Sequence, residues 1–138
     1  LKSINNITLR QGIAYLSCSF GLVLVDLEKE EIKDTYVIGN ETGVYEVNGC
    51  AFLGDSIIAA TSSGIFYAKE SSQNLSNLNN WLALNEYTNE ETYDNVIVAN
   101  NLIVGDYSLE TVSISYNNSV FLFIIPFSFN VMRLRIHN

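Results

Sequence analysis

Two stretches of the chain repeat one another at a spacing of 43 residues, and this repeat constrains the fold more than any other feature. In the first stretch, the apolar runs Ile13–Ser17 and Leu22–Val25 are joined by a short turn that ends at Gly21. In the second stretch Gly64 takes the place of Gly21, and apolar runs again lie on both sides. A self-similar unit of this length with several short strands is typical of a β-propeller blade. We therefore expect an all-β fold.

The length of the chain sets the number of blades. At roughly 40–50 residues per blade, 138 residues hold three four-stranded antiparallel blades, whereas closed propellers usually have four or more. The sequence therefore predicts a partial β-propeller that is not closed. We assign residues 1–42 to the first blade, 43–90 to the second and 91–118 to the third, which is incomplete or extends to about residue 126.

The strands expected within the units follow from apolar runs bounded by turn residues. The inner strands are predicted at Leu1–Leu9, Val47–Phe52 and Tyr93–Ala99. In the third unit the 43-residue offset no longer aligns glycines. There we expect strands at Leu102–Val104 and Thr111–Tyr116, with a turn at Gly105-Asp106-Tyr107.

Residues 119–138 differ in composition from the rest of the chain. The apolar run Val120–Ile125 is interrupted by Pro126, the only proline, and the end Arg133–Asn138 is basic and contains no acidic residue. The apolar part is too short for a membrane-spanning helix. It is either the outer strand of the third blade or a tail foreign to the repeat, for instance from a shifted reading frame. The loss of acidic residues and of turn spacing favours the second interpretation.

The charge of the chain excludes two classes of partner. A formal net charge of −8 and a pI near 4.4 argue against binding to nucleic acid or anionic lipid, because both require a basic surface. The chain does not begin with methionine and shows no signal-peptide pattern. We therefore expect that a signal peptide has been removed or that the start lies upstream.

The two cysteines, Cys18 and Cys50, leave two states open. They form one disulfide in an oxidising compartment or remain as two buried thiols, since cysteine packs well as a small apolar residue. Cys18 is expected to end one strand and Cys50 to open a strand of the next blade. The single tryptophan, Trp81, follows a polar stretch, and we expect it to fill the groove between blades rather than stack on a ligand.

No combination of residues in the chain predicts catalysis, a cofactor or a metal site. The only histidine, His137, lies in the tail, so no base is available to a serine or cysteine nucleophile. The adjacent carboxylates Glu30/Glu31 and Glu90/Glu91 are expected to point apart rather than converge. For binding, the candidate loops are Ser19-Phe20-Gly21, Ser62-Ser63-Gly64 and Gly105-Asp106-Tyr107, with Phe20 and Tyr107 as exposed aromatic candidates.

Several segments resemble one known family. The segment Tyr15–Leu22, followed by Asp26-Leu27 and then Glu31–Gly39, resembles the N-terminal propeller of PorZ, a surface component of the type IX secretion system. Ala59–Ile65, with Asn74-Leu75 and Trp81, resembles the next blade of the same proteins. The shorter pattern Thr-x-x-Gly-Ile is also similar to propeller repeats of two-component regulators. The resemblance covers residues 10–107.

The resemblance implies an exported protein of a Gram-negative bacterium, in the periplasm or at the cell surface. Its propellers would serve as non-catalytic docking scaffolds for protein components of the secretion machine, together with the remaining blades of a longer protein. In that family lipopolysaccharide binding is attributed to a C-terminal domain, so no ligand-binding residue is carried over. The alternative is a glycan-sensing propeller segment of a hybrid two-component regulator.

Overall fold

The computed structural model describes residues 3–71, 74–84, 92–99, 102–107, 111–116 and 119–124. Within these residues, the strands form three four-stranded antiparallel sheets that pack side by side without closing into a ring, and one two-stranded hairpin. The prediction of an all-β, partial propeller is therefore confirmed. We refer to the three sheets as blades 1, 2 and 3.

The strands of each blade pair in chain order from the inner to the outer edge. Blade 1 contains β1 (Ile4–Arg10), β2 (Ile13–Cys18), β3 (Gly21–Asp26) and β4 (Glu31–Tyr36). The hairpin of β5 (Gly39–Asn40) and β6 (Gly43–Val44) leads to blade 2, with β7 (Val47–Leu53), β8 (Ser56–Thr61), β9 (Gly64–Lys69) and β10 (Leu82–Ala83). Blade 3 contains β11 (Tyr93–Ala99), β12 (Leu102–Tyr107), β13 (Thr111–Tyr116) and β14 (Ser119–Ile124).

The spacing of the inner strands explains why the third repeat is faint in the sequence. β1 and β7 begin 43 residues apart, at Ile4 and Val47, whereas β11 begins 46 residues after β7, at Tyr93. Blade 2 places a polar segment with a single 3-10 turn, Leu78–Asn80, between its third and fourth strands, where blade 1 has only a short turn. An offset of 43 residues therefore no longer aligns the strands of blade 3 with those of blade 2.

Four details differ from the sequence-based prediction. Residues 119–124, which the composition favoured as part of a foreign tail, form β14 because this apolar run pairs with β13 as the outer strand of blade 3; residues 125–138 lie outside the described residues. The first inner strand is described from Ile4 to Arg10, later than the Leu1–Leu9 expected. Cys50 lies in the middle of β7 rather than at its start. The run Gly105–Tyr107 belongs to β12 and is not a turn, because Gly105 pairs with Val96 and Ser113 in the middle of the sheet.

The two glycines of the repeat occupy a backbone conformation that other residues avoid. Gly21 has φ of 140° and Gly64 has φ of 116°, in a region that is essentially restricted to glycine. A Cβ atom at Gly21 would also collide with the carbonyl oxygen of Tyr36. Glycine therefore recurs because it lets β3 begin immediately after a tight turn.

The core consists of the two interfaces between blades. On β8, alternate residues face opposite sides: Ile57 and Ala59 belong to the cluster shared with blade 1, and Ile58 and Ala60 to the cluster shared with blade 3. A strand covered on both faces contains a continuous apolar run, as β8 does. The blade 1 side contributes Tyr15, Leu22, Leu24 and Tyr36, and the blade 3 side contributes Tyr93, Val96 and Ile103.

One face of blade 1 remains open, and we call it the leading face. Its inner strand carries Ile7 and Leu9, which are 55% and 68% exposed. The residues one repeat later, Cys50 and Phe52, pack against blade 1, with Cys50 only 4% exposed. The leading face is thus the position that a preceding blade would cover. The part of the chain that the structure describes contains no helix long and apolar enough to cross a bilayer.

Candidate functional site

The loops selected from the sequence form part of one rim of the sheets. Ser19 and Phe20 make the turn between β2 and β3, and Ser62 and Ser63 make the equivalent turn of blade 2. Phe20 is half-buried rather than fully exposed. The third candidate, Gly105–Tyr107, lies in a strand instead, and the Tyr107 side chain lies outside the described set. The first two loops therefore occupy equivalent positions in blades 1 and 2, and the third does not.

A polar cluster lies between blades 1 and 2. The Tyr15 hydroxyl donates to the Glu70 carboxylate and lies 2.9 Å from both of its oxygens. Burial is the main reason that the pKa of Tyr15 is raised well above its usual value, and the neighbouring Glu70 raises it further. The pKa of Tyr36 is raised for the same two reasons. Both phenols therefore keep their protons at neutral pH, and the Tyr15 hydroxyl donates a hydrogen bond that joins the two blades.

Cys50 lies in the same interface and has the properties of an unreactive thiol. Burial raises the pKa of Cys50 to about 11, although the Thr8 and Ser17 hydroxyls partly oppose the shift. The nucleophilic form of cysteine is the thiolate, which is scarcely populated at neutral pH when the pKa is so high. Cys18 is buried as well, and the two thiols are not joined in a disulfide.

The adjacent carboxylates of blade 1 lie at an exposed turn. Glu30 lies in the turn before β4 and Glu31 begins that strand, and both are exposed. Asp26 accepts hydrogen bonds from the backbone N–H groups of Glu28 and Lys29, and the bond from Lys29 is the main reason that its pKa is lowered. Among the described residues no three histidine, cysteine or acidic side chains are grouped to hold a metal ion. Glu90, Glu91 and His137 lie outside the described residues.

Trp81 fills the groove between blades, as the sequence predicts. It is buried, and its ring centroid lies 6.4 Å from that of Tyr36 on blade 1. Its indole N–H donates to the Leu75 carbonyl oxygen at 3.2 Å. The Leu75 carbonyl also accepts the backbone N–H of Val37, so this segment fastens blade 2 to the outer part of blade 1.

Sequence reasoning missed a row of polar contacts between the inner strands. Three side chains of β1 donate to backbone carbonyl oxygens of blade 2: Asn5 to Val47 at 2.9 Å, Thr8 to Cys50 at 3.2 Å and Arg10 to Gly54 at 3.0 Å. Arg10 also lies over the Phe52 ring, 4.4 Å from its centroid. The 43-residue recurrence of Asn5 as Asn48 was the signal that could have indicated them.

In the described interfaces, polar side chains therefore form hydrogen bonds that join one blade to the next. Asn5, Thr8, Arg10 and Trp81 donate to carbonyl oxygens, Tyr15 donates to the Glu70 carboxylate, and the Cys50 thiol is held in its neutral form. This arrangement is suited to rigid presentation of a surface.

Comparison with known families gives one match over most of the chain. A family model described as the N-terminal β-propeller domain of PorZ, TSS9, matches residues 1–82. No curated protein sequence matches at a significant level.

Three solved structures illustrate the structural likeness. A structure of PorZ, described as an essential bacterial surface component of the type IX secretion system of Porphyromonas gingivalis, is similar with a TM-score of 0.70 and 22% identity. The alignment covers 87% of this chain but only 16% of that chain. The computationally designed Ika8 protein gives a TM-score of 0.57 at 9% identity, covering 86% of this chain and 34% of its own. Apo AztD from Citrobacter koseri gives 0.52 at 14% identity, covering 88% and 35%.

Proposed function

Because the chain belongs to the family of N-terminal β-propeller domains of PorZ, a type IX secretion system component, we propose that it is part of a non-catalytic docking scaffold for protein components of that machine. The family match over residues 1–82 is the observation that carries the proposal. PorZ of Porphyromonas gingivalis is described as a surface component, and we place this chain likewise outside the cytoplasm, in the periplasm or at the cell surface.

The outer edge of blade 1 is the surface that best supports docking. Glu31, Ile32, Lys33 and Asp34 of β4 are all exposed, and Ile32 is 69% exposed. β4 is the last strand of its sheet, and an edge strand offers backbone N–H and C=O groups to an incoming strand. The charges of both signs around Ile32 would select the register of the partner while limiting non-specific pairing.

The same contacts argue against a reaction centre. An enzyme would need an activated nucleophile or converging acid and base groups. Cys50 is held as a thiol, and the Tyr15 hydroxyl and Glu70 carboxylate of the same interface are hydrogen-bonded to one another. The scaffold therefore acts through its shape and exposed edges.

The test measures delivery of type IX cargo to the cell surface in a strain whose own gene carries Ile32→Glu together with Lys33→Glu. A matched strain carries Leu27→Glu together with Lys29→Glu, which change the adjacent exposed turn. Immunoblots first establish equal amounts of the two variants. We expect the β4 variant to reduce cargo delivery and the turn variant to behave as wild type. Normal cargo delivery by the β4 variant would contradict the proposal.

A further inference from the structure

The leading face of blade 1 has the same layout as the surface that blade 2 packs against blade 1. Residues directly opposite one another on neighbouring strands lie on the same face of a sheet. On blade 2, two such rows cross the first three strands: Cys50, Ala59 and Phe66, and then Phe52, Ile57 and Ala68. Every residue of these two rows belongs to the apolar cluster shared with blade 1.

The equivalent rows of blade 1 are also entirely apolar. They are Ile7, Leu16 and Val23, and then Leu9, Ala14 and Val25. Ile7 and Leu9 are exposed, and Leu16, Val23 and Val25 are only half-buried. The leading face therefore presents a surface of the kind that packs against a neighbouring blade inside this chain.

The opposite end of the stack presents the other half of such an interface. We call the side of blade 3 that points away from blade 2 the trailing face. Ile97 of β11 occupies the position of Thr8 on β1 and of Ala51 on β7. Thr8 donates to the Cys50 carbonyl oxygen, and Ala51 packs in the cluster shared with blade 3. Ile97, at a position that contacts the following blade in both other cases, is 53% exposed.

The polar residues at these two ends are complementary. Between blades 1 and 2, the side chain of Asn5 donates an N–H to the Glu46 carboxylate at 2.9 Å. On the trailing face the position of Asn5 is taken by Asp94, and on the leading face the position of Glu46 is taken by Ser3. Both Asp94 and Ser3 are exposed.

The two replacements keep a donor opposite an acceptor. A carboxylate only accepts hydrogen bonds, whereas a serine hydroxyl can donate one. Asp94 would repel a carboxylate such as Glu46 but can accept the hydroxyl hydrogen of Ser3. A trailing face with Asp94 therefore matches a leading face with Ser3, and each copy of the chain carries both.

The number of blades favours a closed pair of copies. Contacts between unlike faces of identical chains form a ring when the rotation closes. Two copies hold six blades, because each chain contributes three, and closed propellers typically have four to eight. A closed pair covers every leading and trailing face, whereas an open series leaves one of each exposed.

We propose that two copies of the 138-residue chain associate head to tail, leading face on trailing face, as a six-bladed ring. In each of the two contacts the Ser3 hydroxyl of one copy donates a hydrogen bond to the Asp94 carboxylate of the other. This association uses the two ends of the stack of blades, and it is independent of the docking role proposed for the outer edge of β4.

Charge reversal tests the pairing of Ser3 with Asp94 in sedimentation velocity experiments. We expect the wild type to form a species of two copies and no larger one. Asp94→Lys and Ser3→Asp should each weaken this dimer roughly tenfold, and the double variant should restore it, because the two charges are again opposite. Glu28→Lys, which makes the same charge change in an exposed turn, should have no effect.

Three results of these experiments would overturn the proposal. They are a wild type that stays monomeric, an open-ended series of larger species, and a double variant that is no tighter than the single variants.

Cross-linking with a short bis-maleimide tests the head-to-tail arrangement, with Cys18→Ala and Cys50→Ala removing the native thiols. A chain with Ser3→Cys is mixed with a tagged chain that carries Asp94→Cys, and we expect a covalent mixed dimer. Asn5→Cys with Glu46→Cys in one chain is the positive control, because these side chains are in contact. Lys29→Cys mixed with Asp94→Cys is the negative control. Cross-linking of Ser3→Cys chains to one another, or a mixed yield no greater than the negative control, would refute the arrangement.

Discussion

Tyr15 and Tyr36 show how single residues hold the blades together. Both phenols interact with the carboxylate of Glu70, which follows the third strand of the neighbouring blade. Burial and this carboxylate raise the pKa of each phenol, so the native state retains protons that an unfolded chain would release above about pH 10. The hydrogen bond from Tyr15 to Glu70 and the raised pKa values of both phenols therefore have one cause, the burial of these side chains beside Glu70 between blades 1 and 2.

Replacing Tyr15 by phenylalanine should have two measurable effects. At neutral pH, loss of the bond to Glu70 should lower the free energy of unfolding by about 1–3 kcal/mol. In the wild type, stability should be complete below the unfolded-state pKa of tyrosine and should fall as the pH rises above about 10. In Tyr15→Phe, which lacks one of the two phenols, the free energy of unfolding should decrease less steeply as the pH rises above about 10.

Urea unfolding at a series of pH values, followed by Trp81 fluorescence, measures both effects. Tyr45→Phe is the matched control at neutral pH, because within the described residues the Tyr45 hydroxyl has no hydrogen bond and its ring packs on Phe66. Equal losses of stability in the two variants at neutral pH would show that the Glu70 contact does not stabilise the interface.

At the scale of strands and turns, the sequence predicted the elements that recur with the repeat or that require a particular residue type. The turn before β3 and the turn before β9 were predictable because Gly21 and Gly64 have φ values that glycine alone adopts readily. The hydrogen bonds from Asn5 to the Val47 carbonyl oxygen and from Asn48 to the Tyr93 carbonyl oxygen were not predicted. Both asparagines lie at β-bulges, which are local changes of register that the apolar pattern does not mark. Gly105 was misassigned because a glycine–aspartate pair also marks turns, and only the packing of Tyr93 and Ile65 against it explains a glycine inside a strand.

The hydrogen bond from the Asn48 side chain to the Tyr93 carbonyl oxygen predicts a specific sensitivity to charge. Asn48→Asp removes the donor to the Tyr93 carbonyl oxygen and places a negative charge beside it, so we expect a loss of about 1–3 kcal/mol in the free energy of unfolding. Asn40→Asp introduces the same charge where the side-chain oxygen only accepts bonds from Thr42, and it should cost little. Urea midpoints of the two variants give the comparison. A loss from Asn40→Asp as large as that from Asn48→Asp would mean that the hydrogen bond from Asn48 to Tyr93 is energetically unimportant.

At the scale of the whole molecule, blades 1 and 3 leave surfaces that other blades cover elsewhere in the chain. Each blade contact buries apolar side chains that the single sheet exposes, as in other repeat proteins. The number of blades, their four-stranded form and the open ring were predictable from a 43-residue period and the chain length. The acceptors of the Asn5 and Asn48 side chains and the hydrogen bonds around Leu75 and Trp81 were not predictable, because they depend on which polar groups meet across an interface.

The most direct test of the stacked-blade account is sedimentation velocity of the isolated 138-residue chain at increasing concentration. Since the leading face exposes Ile7 and Leu9, and such apolar patches drive association, we expect the wild type to self-associate. Leu9→Glu should reduce this association, while Leu27→Glu, in an exposed turn outside that face, should leave it unchanged. A wild-type chain that remains monomeric at every concentration, or one whose association is insensitive to Leu9→Glu, would contradict the account.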